Sequence, residues 1–145
     1  MAPQGTPNSP FNFIQVAIAA LGAGYLNVII FFIGGSAGAT MQIGETSNDV
    51  VHFAQVLGYT WALIVVLGFV VFLLGRAKKG VTKVAQWIGL VIAVASIAFP
   101  IMNSADVATA FTLSIIHVMT GVAWFFAVHY GNKKLHTEAQ AVAVA

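Results

Sequence analysis

Four apolar runs, each long enough to cross a bilayer, are separated by short polar stretches: Phe11 to Ile33, Val50 to Leu74, Val84 to Met102 and Val107 to Tyr130. Each approaches or exceeds the ~20 apolar residues needed to span the ~30 Å hydrocarbon core as a helix. The punctuation between runs is of the kind that ends helices. Gly34, Gly35 and Gly38 follow the first run and Gly75 the second. Asn103 to Asp106 follow the third, and Gly131 and Asn132 the fourth. Thr46, Ser47, Asn48 and Asp49 offer N-caps to the second helix, and Ser104 or Asp106 to the fourth. The connections at Gly75 and Asn103 are short, so spans two and three, and three and four, are expected to be antiparallel neighbours. The pattern predicts an all-α, up-down-up-down transmembrane four-helix bundle. Its organisation is a flexible tail over 1–10, a four-span membrane domain over 11–130 and a second tail over 131–145.

Charge orients this ladder. Arg76, Lys78, Lys79 and Lys83 lie between spans two and three, and Lys133 and Lys134 follow span four. The other two loops carry Glu45, Asp49 and Asp106 but no Lys or Arg. Basic loops resist translocation, which places both termini in the cytoplasm and the chain in the plasma membrane. Composition agrees: 59% of the 145 residues are hydrophobic and 7% charged, too few charges to cover a water-facing surface. Lipid is therefore the expected solvent and first partner. The six basic residues flank spans, which fits anionic headgroups rather than nucleic acid. Met1 to Pro10 has no basic residue, so the first run reads as a retained span rather than a signal peptide.

Small residues recur at four-residue spacing, Ala19 with Ala23, Ala20 with Gly24, and Gly89 with Ala93, and predict close helix approach, within the chain or between copies. Trp87 and Tyr130 fall at the basic interface, whereas Trp61 and Trp124 lie deeper and are expected to pack between helices or against lipid.

Polar groups inside spans are the candidates for chemistry. Asp106 and His117 stand eleven residues apart, about three helical turns, so both fall near one face of span four, with His117 ~16 Å deeper. Thr109, Ala110, Leu113, Thr120 and Gly121 extend that face. An imidazole near the midplane needs a partner, because an unsatisfied polar group in hydrocarbon costs several kcal/mol. Tyr25, Asn27, Thr60 and Ser96 lie within a few residues of its depth, and a cluster of these around His117 is expected. It either locks the bundle register or forms a ligand or proton path. Pro100 removes a helical hydrogen bond at the carbonyl of Ser96. That either ends span three or bends it and opens space beside His117. At the head of span two, Asp49 and His52 could face one side with Glu45, or Asp49 could simply cap the helix.

Several functions find no residues. No Cys is present, which removes disulfides and thiolate sites. His52, His117 and His129 lie at different depths, so no pair can clamp one haem within a monomer. No metal-ligand cluster, phosphate loop or nucleophile–base pair is apparent, and no cofactor or metal is expected. The foremost expectation is a non-enzymatic accessory or assembly subunit that meets other membrane subunits. A small transporter or channel using the Asp106–His117 face, and a quinone- or lipid-binding redox partner or enzyme, are the alternatives.

The stretches Ser96-Ile97-Ala98-Phe99-Pro100, Asp106-Val107-Ala108-Thr109-Ala110 and Ile116-His117-Val118-Met119-Thr120-Gly121 resemble the second half of an uncharacterised family of small four-helix membrane proteins common in actinobacteria. The first half agrees in layout, with Gly58 and Trp61 in span two. The resemblance implies four spans and groups Pro100, Asp106 and His117, and it brings no activity, cofactor or substrate with it.

Overall fold

The computed structural model describes residues 13–44, 49–77 and 80–144, with side chains described over 13–44, 49–75 and 80–130. The first tail, the cap candidates Thr46 to Asn48, and Glu45 lie outside the described residues, as do the side chains of Arg76, Lys133 and Lys134. Five helices form: α1 (Phe13–Ser36), α2 (Phe53–Ala77), α3 (Val81–Ala95), α4 (Ala98–Asn103) and α5 (Val107–Val144). α3 and α4 together make the third span, and all four spans are long and apolar enough to cross a membrane. Their outward faces are apolar along the whole length, with Ile18, Ile33, Leu63, Val91, Ile101 and Phe111 all exposed. In water such a surface would aggregate; in hydrocarbon it carries no penalty. The chain is a multi-pass membrane protein.

α1 is the hub of the bundle. It packs along both α2 and α5, while α3 packs along α5. Small residues make this possible. Gly24 of α1 lies under the ring of Trp61, Gly34 under Thr112, Gly68 of α2 under Val16, and Gly89 of α3 under Trp124; a Cβ at any of them would collide with the partner. The two hairpins, α1–α2 and α3–α5, are therefore built alike, each seating a tryptophan of its second helix on a glycine of its first. Trp124 also donates from Nε1 to the carbonyl of Ala85 at 3.0 Å. Close approach within the chain is thus what Gly24 and Gly89 provide.

Two expectations are corrected, and one alternative is decided. α2 and α3, joined by a short loop, touch only sparingly, so one side of the bundle stays open between them. A short loop holds the ends of two helices together but not their lengths. Gly131 and Asn132 do not end the fourth helix, which continues to Val144. One helical glycine costs only about 1 kcal/mol relative to alanine, and the Lys, Leu, Glu, Gln and Ala that follow favour continuation. At Pro100, where an end and a bend are the alternatives, span three bends. The helix breaks at Ser96 and Ile97, one turn earlier, and resumes as α4 with Pro100 inside it.

The acidic end carries a small backbone cap that periodicity does not reveal. Residues 41–44 run antiparallel to 49–51 on one side and 103–105 on the other, with bridges Gln42 to Val50 and Ile43 to Ser104. Ile43 N donates to the Asp49 carbonyl at 2.8 Å, and Gly44 N to the Asn103 carbonyl at 2.7 Å. These bonds satisfy main-chain groups at the mouth of an apolar bundle, where water is scarce. Asp49 thus joins the cap and does not cap α2. That helix starts after His52, whose N–H donates to Gln55 Oε1 at 2.7 Å, one half of a capping box.

Candidate functional site

Asp106 and His117 share a face of span four, as the eleven-residue spacing requires, but the structure gives them different partners. Asp106 belongs to the cap. Its Oδ1 accepts from the N–H of Thr109 at 2.7 Å, the N-cap bond of α5. Its Oδ2 accepts from the Thr109 hydroxyl at 2.7 Å, and from the hydroxyl and N–H of Thr40 at 2.5 and 3.2 Å. Thr109 Oγ1 in turn accepts from Met41 N at 2.9 Å. The Thr40 hydroxyl first, then the two Thr109 groups, hold the carboxyl well below the usual carboxylate range. One carboxylate therefore starts α5 and ties the loop after α1 across the bundle mouth. Met41 is held there with a positive φ of 59° and is buried. An L residue with a side chain adopts that conformation only where its surroundings insist. Thr40 gives no sequence signal; the Asp-x-x-Thr spacing at 106–109 does.

The remaining candidates divide into two polar groups; Ser96 and His117 of the first and Thr60 and Thr120 of the second line one cavity, and Asn27 does not. In the first, Ser96 Oγ lies 2.6 Å from His117 Nδ1 and donates to the carbonyl of Ala93 at 2.7 Å. This is the expected Ser96–His117 contact, made at the break in span three. In the second, Asn27 is fully buried, and its Nδ2 donates to Thr60 Oγ1 at 3.0 Å and Thr120 Oγ1 at 2.9 Å. Asn27 so ties α1 to α2 and α5. Each such bond adds only about 0.6 kcal/mol, so its weight lies in fixing which helix faces meet. Thr120 passes its own proton to the Ile116 carbonyl at 2.8 Å. Asn27 Oδ1 is buried without a partner among the described residues.

Tyr25 does not join. Its side chain is 59% exposed on the outside of α1 and meets Trp61 edge-on at 6.0 Å. Two residues along a helix turn by about 200°, so once Asn27 points inward Tyr25 must point out. Depth alone could not distinguish them.

That cavity measures about 540 Å³. It runs from Ile43 and Val51 of the cap, down between α2 and α3–α4, to Trp124. Its lining is overwhelmingly apolar; the polar side chains on it are Gln55 towards the cap and Tyr59, Thr60, Ser96, His117 and Thr120 deeper in. The break at Ser96 and the sparse α2–α3 contact both open it, so it lies on the side of the bundle where lipid-facing residues such as Leu63 and Ile92 form the rim. Among the described residues His117 makes one side-chain hydrogen bond, through Nδ1 to Ser96, and none through Nε2. Here the bend reading of Pro100 is the one the fold adopts. Among the described residues no group of His, Asp and Glu is placed to hold a metal ion.

No curated protein and no solved structure matches the chain. A family profile covers residues 7–134, nearly the whole of this cap, bundle and cavity, and on that match the chain belongs to the family of unknown function DUF6069.

Proposed function

We propose that this protein sits in the plasma membrane with both termini in the cytoplasm and binds a lipid-soluble small molecule in the cleft between α2 and α3–α4. The observation that carries the reading is His117: a half-buried imidazole on the wall of an apolar cavity, with one ring nitrogen held by Ser96 and the other without a partner among the described residues. Ligand sites combine largely apolar walls with a few placed polar groups, and a volume of 540 Å³ falls in the range of such pockets. Entry through the bilayer needs no aqueous path, which suits a cleft whose rim is apolar. Asp106 supports this reading by position: it anchors the cap that covers one end of the cavity.

Purified in mild detergent, the full chain is expected to carry a lipid-soluble molecule at close to one per protein, seen by native mass spectrometry. His117→Leu should retain less than a tenth of it while keeping its helical circular dichroism. An equal load in both proteins contradicts the reading.

A second reading, an accessory subunit, has its own support. The Tyr25 phenol projects from the lipid face of α1 near mid-span with no hydrogen bond among the described residues, an arrangement that a polar group of a partner helix would satisfy. Stoichiometric co-purification of one membrane protein, reduced in Tyr25→Phe, would favour it; a lone monodisperse chain would not.

A further inference from the structure

The helix break that opens the cleft also decides which hydrogen-bonding character His117 presents to it. In an unbroken helix the carbonyl of Ala93 would accept from the N–H of Ile97, four residues on. Here Ile97 N donates instead to Val94 at 3.2 Å, and Ser96 N donates to Ile92 at 2.8 Å. The Ala93 carbonyl is left with one donor among the described residues, the Ser96 hydroxyl at 2.7 Å. A main-chain carbonyl inside a membrane protein is costly to leave unpaired. The single Ser96 proton is therefore committed to Ala93 and cannot also be given to His117. The 2.6 Å contact between Ser96 Oγ and His117 Nδ1 then has only one consistent polarity: Nδ1 carries the ring proton and donates it to the serine oxygen. In a neutral ring the other nitrogen, Nε2, is a bare lone pair. It makes no hydrogen bond among the described residues, and His117 lines the cavity.

We infer that the cleft selects lipid-soluble molecules whose polar head donates a hydrogen bond, an alcohol or phenol hydroxyl on an apolar body, over the corresponding ketones, esters and ethers. This rests on the ligand-binding reading above and narrows it. Ser96 is a positioning residue here: it touches no ligand and acts by fixing the imidazole tautomer. A carbonyl head would meet lone pair against lone pair at Nε2, whereas a hydroxyl meets an acceptor that no donor among the described residues satisfies.

The test uses the full chain in lipid nanodiscs at pH 8, above the ordinary imidazole pKa of about 6.5. Nitrogen-15 NMR of the histidine rings, with His117 assigned by its loss in His117→Asn, should show the Nδ1–H tautomer; an Nε2–H tautomer overturns the inference. The His117 ring resonances then report titrations with two matched pairs, 4-nonylphenol against 4-nonylanisole and 1-dodecanol against its methyl ether. At least one hydroxyl compound is expected to bind tenfold or more tightly than its ether, and the pair that does so tells an aromatic head from an aliphatic one. Equal affinities within both pairs overturn the donor preference and leave ligand binding standing. No binding by any of the four overturns both. In Ser96→Ala the ring should populate both tautomers and the preference should shrink towards one; a ratio and tautomer unchanged from the parent would remove Ser96 from the account.

Discussion

Gly89→Ala is expected to destabilise the fold by about 2–4 kcal/mol. The added Cβ would collide with Trp124 Nε1 and Cδ1. Overfilling a packed site costs about 1–3 kcal/mol, and moving the indole also breaks its bond to the Ala85 carbonyl, worth about 1 kcal/mol. Trp124 is packed in the buried cluster of Val16, Ile64, Val71 and Val128, so a shift of the indole disturbs that packing as well. Gly22→Ala provides the comparison. It lies on the same kind of helix, but a Cβ there meets nothing within 4 Å. Its replacement should be neutral or slightly stabilising, since alanine is the better helix former. Reversible unfolding in mixed micelles, followed by circular dichroism, measures both. Equal effects at Gly89 and Gly22 would mean that Trp124 is not seated on α3.

Asp106→Ala should release the cap. The change removes the N-cap of α5, worth about 1 kcal/mol, and strips four donors on Thr40 and Thr109 of their acceptor. A total of about 1–3 kcal/mol is expected, held down by the partial exposure of the carboxylate to water. The loss should be local. Amide hydrogen exchange of 39–44 should speed up by tenfold or more, while the amides of α1 and α2 hold. The pH dependence has a defined sign. Because the folded carboxyl titrates below its ordinary value near 4, its stabilisation is complete above that value and is lost as the pH falls below it. After correction for intrinsic exchange rates, protection of the cap should be constant between pH 5 and 8. A decline across that window would point to a different titrating anchor.

The four spans were legible because burial in lipid imposes a simple demand: length and apolarity, met by every run. Close helix approach at Gly24 and Gly89 was legible from small residues four apart, but the seating of Trp61 and Trp124 on them was not, since a deep indole can pack against lipid as well as against a helix. Ser96 and His117 also came together as expected from depth, because a buried imidazole must find a partner and few polar groups lay at its level. What failed needed angular or long-range information. Tyr25 and Asn27 share a depth, and only the packing of α1 against α2 and α5 decides which turns inward. Asp106 and His117 share a face, yet the carboxylate is taken by Thr40 from 66 residues away, a contact made by the cap and by nothing periodic. The cap itself rests on main-chain pairing among three loops, and side-chain pattern carries no trace of it. Likewise the cleft arises from helices that do not touch, and a missing contact leaves no mark on a sequence.

The same reasoning explains why the helix break matters more than Pro100 alone. Proline removes one donor, but the chain responds a turn earlier, at Ser96 and Ile97, and the freed Ala93 carbonyl then recruits the Ser96 hydroxyl. Backbone geometry is thereby converted into the chemistry of one imidazole, and a sequence motif of mostly apolar residues acquires a polar focus.

The cleft and its access from the bilayer can be measured through Trp124, which lines it. The chain has three tryptophans, so Trp61→Phe with Trp87→Phe leaves Trp124 as the only emitter. In vesicles, the lipid-phase quencher 10-doxylnonane is expected to quench Trp124 strongly while aqueous acrylamide leaves it nearly untouched. Strong quenching by acrylamide would indicate a water-filled path, and protection from both quenchers would indicate a closed core; either result contradicts a cleft that opens to lipid.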